Sequence, residues 1–345
     1  MRTNEARWTG ERWRIDIQRD GRRKSFYSST PGKKGKIEAE KKADKWLSGE
    51  DSNVRVETMV DRWMNDLSLY ASSAHISQYS VFLRRYILPE IGRKRVSSVT
   101  EIDLQRIIDK AYHERNLAYK TLTNIRVCIS TFFKYCRMAQ VTILRPENLR
   151  IPKSATRGEK HIAQPDDLKV LFSESDAHYI NAFRFAILTG LRPGELLALQ
   201  WSDIKGNVIT IRRAVNHDGE ITQGKNRNAN RSFRLSDRAV AVLADQRKKI
   251  LSPYVFPDKN GRLTNQARYR RAWYKFCEEN GISRITPYEM RHTFVSVADD
   301  LPEGLKRQVV GHSRSMDTEG VYGHQKRGDM ERAADLIGAA FDRIL

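Results

Sequence analysis

The stretch TGLRPGELLALQWSDI, from Thr189 to Ile204, decides how the second half of the chain is interpreted. An apolar run over 182–188 precedes it and is typical of a buried helix. A glycine turn follows, and Arg192 comes directly after the turn. Glu195 lies at the start of the next helix, where we expect it to orient or pack rather than react. Because a surface arginine beside a turn is common, the meaning of Arg192 depends on what lies downstream.

Further reactive side chains follow in a fixed order. Lys225 lies in a predicted hairpin turn, between a β-branched strand and a basic return strand, 231–235. The stretches TPYEMRHT and VGHS contain Arg291 and His312, and Tyr322 stands ten residues beyond His312. Chance seldom produces Arg, Lys, Arg, His and Tyr in such a series.

This series resembles the boxes of the tyrosine recombinases, the family of phage and transposon integrases. The resemblance is strong over 160–330 and extends weakly upstream. Tyr288 stands where the family has a histidine in its second arginine box, and its phenol keeps a hydrogen-bond donor that could orient a phosphate. His292 is implied to be a packed, structural histidine. The resemblance implies five catalytic residues: Arg192, Lys225, Arg291, His312 and Tyr322.

These residue types suit the cleavage of a phosphodiester. Arginine offers planar, charged donors that match phosphate oxygens, so Arg192 and Arg291 are expected to form a clamp for the transition state. Tyr322 is the expected nucleophile, and a covalent phosphotyrosine would keep the bond energy for religation. We expect Lys225 to protonate the leaving 5′ oxygen. His312 is expected either to hydrogen-bond the phosphate or to assist proton transfer from the tyrosine. No metal and no other cofactor is expected.

The composition also favours double-stranded DNA as the partner. The 345 residues include 62 Lys and Arg against 42 Asp and Glu, a net charge of +20 at pH 7 that is spread along the whole chain. No signal-peptide core or bilayer-spanning run occurs, so we expect a cytoplasmic protein without a membrane partner. The cysteines Cys128, Cys136 and Cys277 lack the spacing of a metal site and are predicted to be core thiols.

The sequence predicts an α+β, mostly helical, multidomain protein. Trp13, Ile15 and Ile17 alternate with polar residues and predict a strand, followed by an Asp20-Gly21 turn, a return strand and a helix over 37–47. The predicted domains are an arm-type DNA-binding domain (1–50), a helical core-binding domain (54–150), a linker (151–165), and a catalytic domain with a small antiparallel sheet and a C-terminal helix (166–345).

Basic residues of the helical domain and the linker are expected to contact the DNA backbone, with Tyr79 beside them. Ordinary solvated surface explains these residues almost equally well. The candidates are Arg84, Arg85, Arg93, Lys94, Arg95 and Lys153.

A terminal run over 330–345 has the spacing of an amphipathic helix. The resemblance implies a homotetramer that joins two attachment sites, with a DNA-bending accessory protein as a possible partner. This helix would then dock on a neighbouring subunit, and the alternative is a helix packed on its own domain.

The leading hypothesis is a site-specific recombinase that integrates or excises a mobile element through a 3′-phosphotyrosine intermediate. One alternative is a type IB topoisomerase-like enzyme that nicks and closes DNA without exchanging partners. Another is a DNA-binding regulator with a decayed active site, which the tyrosine at position 288 permits.

Overall fold

A computed structural model describes residues 4–19, 22–47, 54–222, 230–311 and 328–345. The chain divides into two compact units, Met1–Gly158 and Glu159–Leu345. Helices predominate and the strands form small antiparallel sheets, which confirms the predicted α+β class. None of the helices in these ranges combines the length and apolar character that a bilayer-spanning helix needs. The finer domain limits stay predictions.

The first unit begins with a three-stranded antiparallel sheet in the order β1-β2-β3, with one helix packed on it. Ile15, Ile17 and Phe26 form a small core with two alanines of the helix, Ala39 and Ala43. The predicted strand alternation is therefore confirmed, whereas the predicted turn residues 20 and 21 lie outside the described ranges. The elements are β1 Arg7–Trp8, β2 Trp13–Arg19, β3 Arg22–Ser28 and α1 Gly32–Leu47.

Helix α1 begins at Gly32, five residues before the predicted start. Its first turn is lysine- and glycine-rich and carries no apolar stripe, so the periodicity could not reveal it. Gly35 lies in this turn, where a Cβ would stand 1.7 Å from the carbonyl oxygen of Thr30 and 2.7 Å from the Trp13 ring. The absence of a side chain at position 35 thus allows the helix to approach the sheet.

Helices predominate in the first unit over residues 56–138. Trp63 packs between Tyr79 and Phe132, with ring centroids 5.4 Å apart in each pair. Tyr79 is only 6% exposed, so it is a core residue and not the surface aromatic that the sequence suggested. The helices are α2 Val56–Leu67, α3 Ser73–Phe82, α4 Leu88–Ile91, α5 Glu101–Arg115 and α6 Tyr119–Met138, with a π turn at Leu83–Ile87 and a 3₁₀ turn at Val96–Ser98.

The irregular segment after α6 packs against this helical unit. Leu149 and Ala155 are buried in its core. The Arg150 amide donates to the Gln105 side chain at 2.8 Å, and the Tyr119 amide donates to the carbonyl of residue 156 at 2.9 Å. The first part of the predicted linker therefore has fixed partners within the first unit.

A capping box lies at the start of α5. The Asp103 amide donates to the Thr100 hydroxyl at 3.3 Å, and the Thr100 amide donates to the Asp103 carboxylate at 3.0 Å. We expect Thr100→Ala to lower the free energy of unfolding by about 1 kcal/mol, because one helix-end amide loses its acceptor. Urea titration of the purified protein measures this change.

Thr123→Ala is the matched control for Thr100→Ala. The Thr123 hydroxyl donates to the Tyr119 carbonyl inside α6, which already has a helical partner, so its loss should change the free energy of unfolding far less. Equal losses in the two variants would contradict the capping role.

The second unit surrounds a helix, α8 (Ile180–Thr189), that is buried at every position except Arg184. One antiparallel sheet has the order β4-β5-β8, and β6 pairs with β7. The last helix, α14, packs on β8 and α10 of the same chain. The elements are α7 Pro165–Phe172, α8 Ile180–Thr189, α9 Pro193–Leu197, β4 Ile204–Lys205, β5 Val208–Ile211, β6 Ala214–Val215, β7 Ile221–Thr222, β8 Arg231–Arg234, α10 Asp237–Lys249, α11 Gln266–Asn280, α12 Glu289–Val297, α13 Glu303–Val310 and α14 Asp329–Asp342.

All three cysteines are buried thiols, as predicted. Burial raises the pKa of Cys128, Cys136 and Cys277 to about 12 in each case. At neutral pH they are therefore protonated and serve as small apolar side chains of the two cores.

Candidate active site

The site is built around the glycine that ends α8. Gly190 has a φ of +63°, and a Cβ at this position would lie 2.5 Å from the Phe294 ring. A left-handed glycine therefore allows the chain to leave α8 while α12 packs closely against the turn. Arg192 follows in an extended conformation just before α9, and its side chain is 35% exposed.

Glu195 holds the side chain of Arg192. Its carboxylate accepts Nη1 of Arg192 at 2.7 Å and, from β8, Nη1 and Nη2 of Arg231 at 3.1 and 2.8 Å. Burial raises the pKa of Glu195, but the hydrogen bonds and charge of Arg231, together with the charge of Arg192, outweigh burial and hold that pKa below its ordinary value. The carboxylate is thus ionised and orients its neighbours, as the sequence suggested.

Arg231 is the residue of this cluster that sequence reasoning missed, since 231–235 was interpreted only as a basic return strand. A signal was present in the strand alternation: Arg231 and Phe233 are buried, whereas the residues between and after them are partly exposed. An arginine at an inward position of a short strand needs a partner, and this alternation could have marked it.

Arg291 reaches the same turn from α12. It is 2% exposed, and its Nη1 donates to the Gly190 carbonyl at 2.9 Å. Its Nη2 is buried and has no hydrogen-bond partner among the described residues. Burial and the positive charge of Arg192 lower the pKa of Arg291 to about 10, so the guanidinium is still charged at neutral pH. The two predicted arginines are therefore brought together at the end of α8.

The end of α13 also contacts Arg192. Gly311, with a φ of +69°, ends this helix, and its carbonyl accepts Nη2 of Arg192 at 3.0 Å. His312 is the next residue in the sequence. His312, Tyr322 and Lys225 all lie outside the described residues, so their catalytic roles stay predictions.

Tyr288 stands immediately before α12 and is 47% exposed. Its ring meets that of His292 edge to face, with centroids 5.4 Å apart. Burial, followed by the charge of Lys160, lowers the pKa of His292, so this histidine is neutral at pH 7. Its packing agrees with the structural role implied for it, and the role of Tyr288 in orienting a phosphate stays a prediction.

The segment at the start of the second unit contacts α12. The His161 amide donates to the Glu289 carboxylate at 3.0 Å, and the Ala163 amide donates to the Thr293 hydroxyl at 3.0 Å. Both acceptors lie within one turn of Arg291. The entry of the chain is thereby fixed beside one of the two arginines.

The predicted DNA-contact residues of the first unit are all exposed. Lys94 is also paired, since its Nζ donates to the Asp103 carboxylate at 2.7 Å. This pair offsets part of its charge locally, and contact of the set with DNA stays a prediction. The set is Arg84, Arg85, Arg93, Lys94, Arg95 and Lys153.

Two guanidinium groups therefore converge on one turn, one anchored by Glu195 and the other by a main-chain carbonyl. A buried donor without an acceptor is costly, so the Nη2 of Arg291 is best satisfied by an anion with several oxygens. Within the described ranges, no group of three or more His, Cys, Asp or Glu side chains could hold a metal ion.

We expect Gly190→Ala to lower the free energy of unfolding by about 2 kcal/mol or more, because the new methyl group would meet Phe294 and the residue would keep a left-handed backbone. Gly206→Ala is a matched control, since Gly206 has a φ of +57° but open space at its Cβ. Thermal or urea unfolding of both variants measures the difference. Equal destabilisation would show that the approach of Phe294 is unimportant.

The chain is similar to known proteins in sequence and in fold. Residues 163–327 match the phage integrase family. A tyrosine recombinase XerC-like protein of Caldanaerobacter subterraneus subsp. tengcongensis is 23% identical, over 91% of this chain and 92% of that protein. Among solved structures, a Tn1549 transposon integrase in complex with a circular intermediate DNA has a TM-score of 0.68 at 17% identity, with 84% of this chain and all of that one covered. A lambda integrase tetramer bound to a Holliday junction has a TM-score of 0.63 at 16% identity, covering 95% and 98%.

Proposed function

The chain belongs to the tyrosine recombinase family, the phage integrases, and we propose that it is a site-specific DNA recombinase that cuts and rejoins strands through a 3′-phosphotyrosine intermediate. The observation that carries the proposal is the buried Nη2 of Arg291, which lies beside Arg192 and has no hydrogen-bond partner in the part of the chain that the structure describes. A scissile phosphate supplies the acceptor oxygens that this donor lacks, and it offsets the repulsion between the two guanidinium groups.

In the proposed reaction, the phenolic oxygen of Tyr322 attacks phosphorus and the bond from phosphorus to the 5′ oxygen breaks. The phenol loses its proton, either to His312 or to solvent, and the leaving 5′ oxygen takes a proton from Lys225. Arg192 and Arg291 hold the nonbridging oxygens, where charge increases in the transition state. Attack of a 5′ hydroxyl on the phosphotyrosine reverses the step and rejoins a strand.

Features of the first unit support the proposal of further contacts with DNA. On the sheet face away from its core, the Arg12 guanidinium lies 4.3 Å from the centroid of the Tyr27 ring, and Arg14 pairs with Asp16 at 3.1 Å. We assign this sheet to arm-type sites and the helices of 54–150 to core sites. Such a cationic sheet suits a DNA groove or backbone.

The compared proteins suggest the biological setting. One is a transposon integrase on a circular intermediate DNA, and another is a lambda integrase tetramer on a Holliday junction. By analogy, the substrate is a pair of attachment sites of a mobile element, and the active assembly on DNA is a homotetramer. A DNA-bending accessory protein is part of the same proposal.

Covalent capture on randomised DNA tests the proposal and does not require the target sequence to be chosen beforehand. A pool of duplexes with a fixed nick beside a randomised segment is incubated with the protein, denatured in detergent, and examined for DNA that stays attached to protein. We expect an adduct with the wild-type protein and with the control Tyr70→Phe, whose tyrosine is 88% exposed, but none with Tyr322→Phe.

The other outcomes separate the alternatives. An adduct that survives in Tyr322→Phe would overturn the assignment of the nucleophile. Salt-sensitive binding without any adduct would favour the DNA-binding regulator. An adduct accompanied by relaxation of supercoiled plasmid, but with no exchange of strands between two captured duplexes, would favour the topoisomerase-like enzyme.

A further inference from the structure

We infer that Arg231, on β8, is a positioning residue that sets the place of Arg192 and ties it to the end of α13. Its side chain is 6% exposed. Two of its nitrogens, Nη1 and Nη2, donate to the two oxygens of Glu195 at 3.1 and 2.8 Å, and Nε donates to the Val309 carbonyl at 2.8 Å. The inference rests on the proposed function in one respect, namely that Arg192 binds the scissile phosphate.

The hydrogen bonds of the two arginines form a closed ring through Glu195 and the end of α13. Arg192 donates to Glu195 and to the Gly311 carbonyl, while Arg231 donates to Glu195 and to the Val309 carbonyl. Val309 and Gly311 lie two residues apart at the end of α13, immediately before His312 in the sequence. Both arginines therefore share one carboxylate and one helix end. Loss of Arg231 would remove one of the two cations that hold Glu195 and would release the carbonyl of residue 309.

The geometry requires a guanidinium at position 231. A bidentate contact with a carboxylate plus a third donor along the chain needs the planar fork of arginine, whereas the lysine ammonium is a compact charge that cannot span these acceptors. Gly311 fits this side chain closely, since a Cβ there would stand 2.8 Å from Nη1 and 2.9 Å from Cζ of Arg231. The glycine that accepts Arg192 thus also leaves room for Arg231.

Stability alone does not account for this arginine. Arg231 pairs with Ile211 across the sheet, and the neighbouring inward positions are held by Ile209 and Phe233. A buried ion pair is commonly no more stabilising than well-packed apolar side chains of similar size. An apolar residue would fill this strand position, but it could not orient Glu195 toward Arg192.

The first test needs no DNA. In the wild-type protein labelled with ¹⁵N-arginine, the Nη protons of Arg192 should give separate, slowly exchanging NMR signals, because Glu195 and the Gly311 carbonyl hold them; Arg192→Lys assigns these signals. We expect the signals to be lost in Arg231→Met and in Arg231→Lys, which keeps the charge. They should persist in Arg234→Met, on the same strand, where the arginine is 39% exposed and pairs with Glu331 at 3.6 Å.

The second test measures the consequence for chemistry. Single-turnover adduct formation is compared on a captured duplex with an ordinary scissile phosphate and with a methylphosphonate, which carries one negative charge less. A misplaced Arg192 should slow the phosphate reaction about tenfold more than the methylphosphonate reaction, since the arginine acts on that charge. A role in folding alone would slow both equally.

Each result decides a separate point. Unchanged Arg192 signals in folded Arg231→Met or Arg231→Lys would overturn the inference, and so would equal slowing of the two substrates. If the wild-type protein forms no adduct on any duplex, the proposed function fails, but the NMR comparison still decides whether Arg231 places Arg192.

Discussion

Replacing Arg291 with methionine should greatly slow adduct formation while leaving the free protein as stable as the wild type or more stable. Arg291 is 2% exposed, and its Nη2 has no partner among the described residues. The charge of Arg192 also opposes that of Arg291. Methionine removes a buried charge that costs several kcal/mol to desolvate, and it gives up one hydrogen bond to the Gly190 carbonyl. The rate of adduct formation should fall by about 10³-fold, because half of the phosphate clamp is lost.

Urea unfolding and covalent capture on the same preparation measure both effects. Arg291→Lys is the control, because lysine retains a buried charge in the same place and should be less stable than the methionine variant. A methionine variant that unfolds more easily than the lysine variant would show that Arg291 serves the fold rather than the substrate.

Replacing Glu195 with glutamine should lower the free energy of unfolding by about 3–5 kcal/mol, because it leaves the buried Arg231 without a countercharge. Glutamine keeps the shape of the side chain, so the loss reports charge. Adduct formation should fall as well, since Arg192 loses its anchor at 2.7 Å. Urea titration at pH 7 measures the stability change.

The loss should also depend on pH in a defined direction. The folded-state pKa of Glu195 is lowered, so its contribution is fully present above the ordinary glutamate pKa of about 4.3. It disappears as the pH falls through the folded-state value, and the wild-type protein and Glu195→Gln should then converge. Glu331→Gln is the control: its exposed pair with Arg234, at 3.6 Å, should contribute little at any pH. A constant difference at all pH values would contradict an ionic role for Glu195.

The sequence located the parts of the site that depend on local chemistry. The glycine turn before Arg192 and the position of Arg291 could be predicted, because both arginines lie next to a helix boundary that has its own sequence signal. The strand β2 could be predicted because its alternation of apolar and polar residues is also a local pattern. Fold class followed from these local patterns.

Contacts between segments that are distant in the sequence could not be predicted. The partners of Arg231 are 36 and 78 residues away, and no local pattern encodes such a pairing. Tyr79 was misplaced because a tyrosine suits both a surface and a core, and only packing against Trp63 decides between them. The start of α1 was missed because Gly35 serves a close approach to Thr30 rather than a helical stripe.

Arg192 and Arg291 are both anchored on main-chain carbonyls, and this has a genetic consequence. No substitution can delete the carbonyls of Gly190 and Gly311, so the acceptors themselves are invisible to a mutational screen. Instead, defective alleles at these two positions should arise with every amino-acid type, because any side chain takes up space that a neighbour occupies. Intragenic suppressors of an alanine at position 190 should then be smaller residues at Phe294, whose ring fills that space.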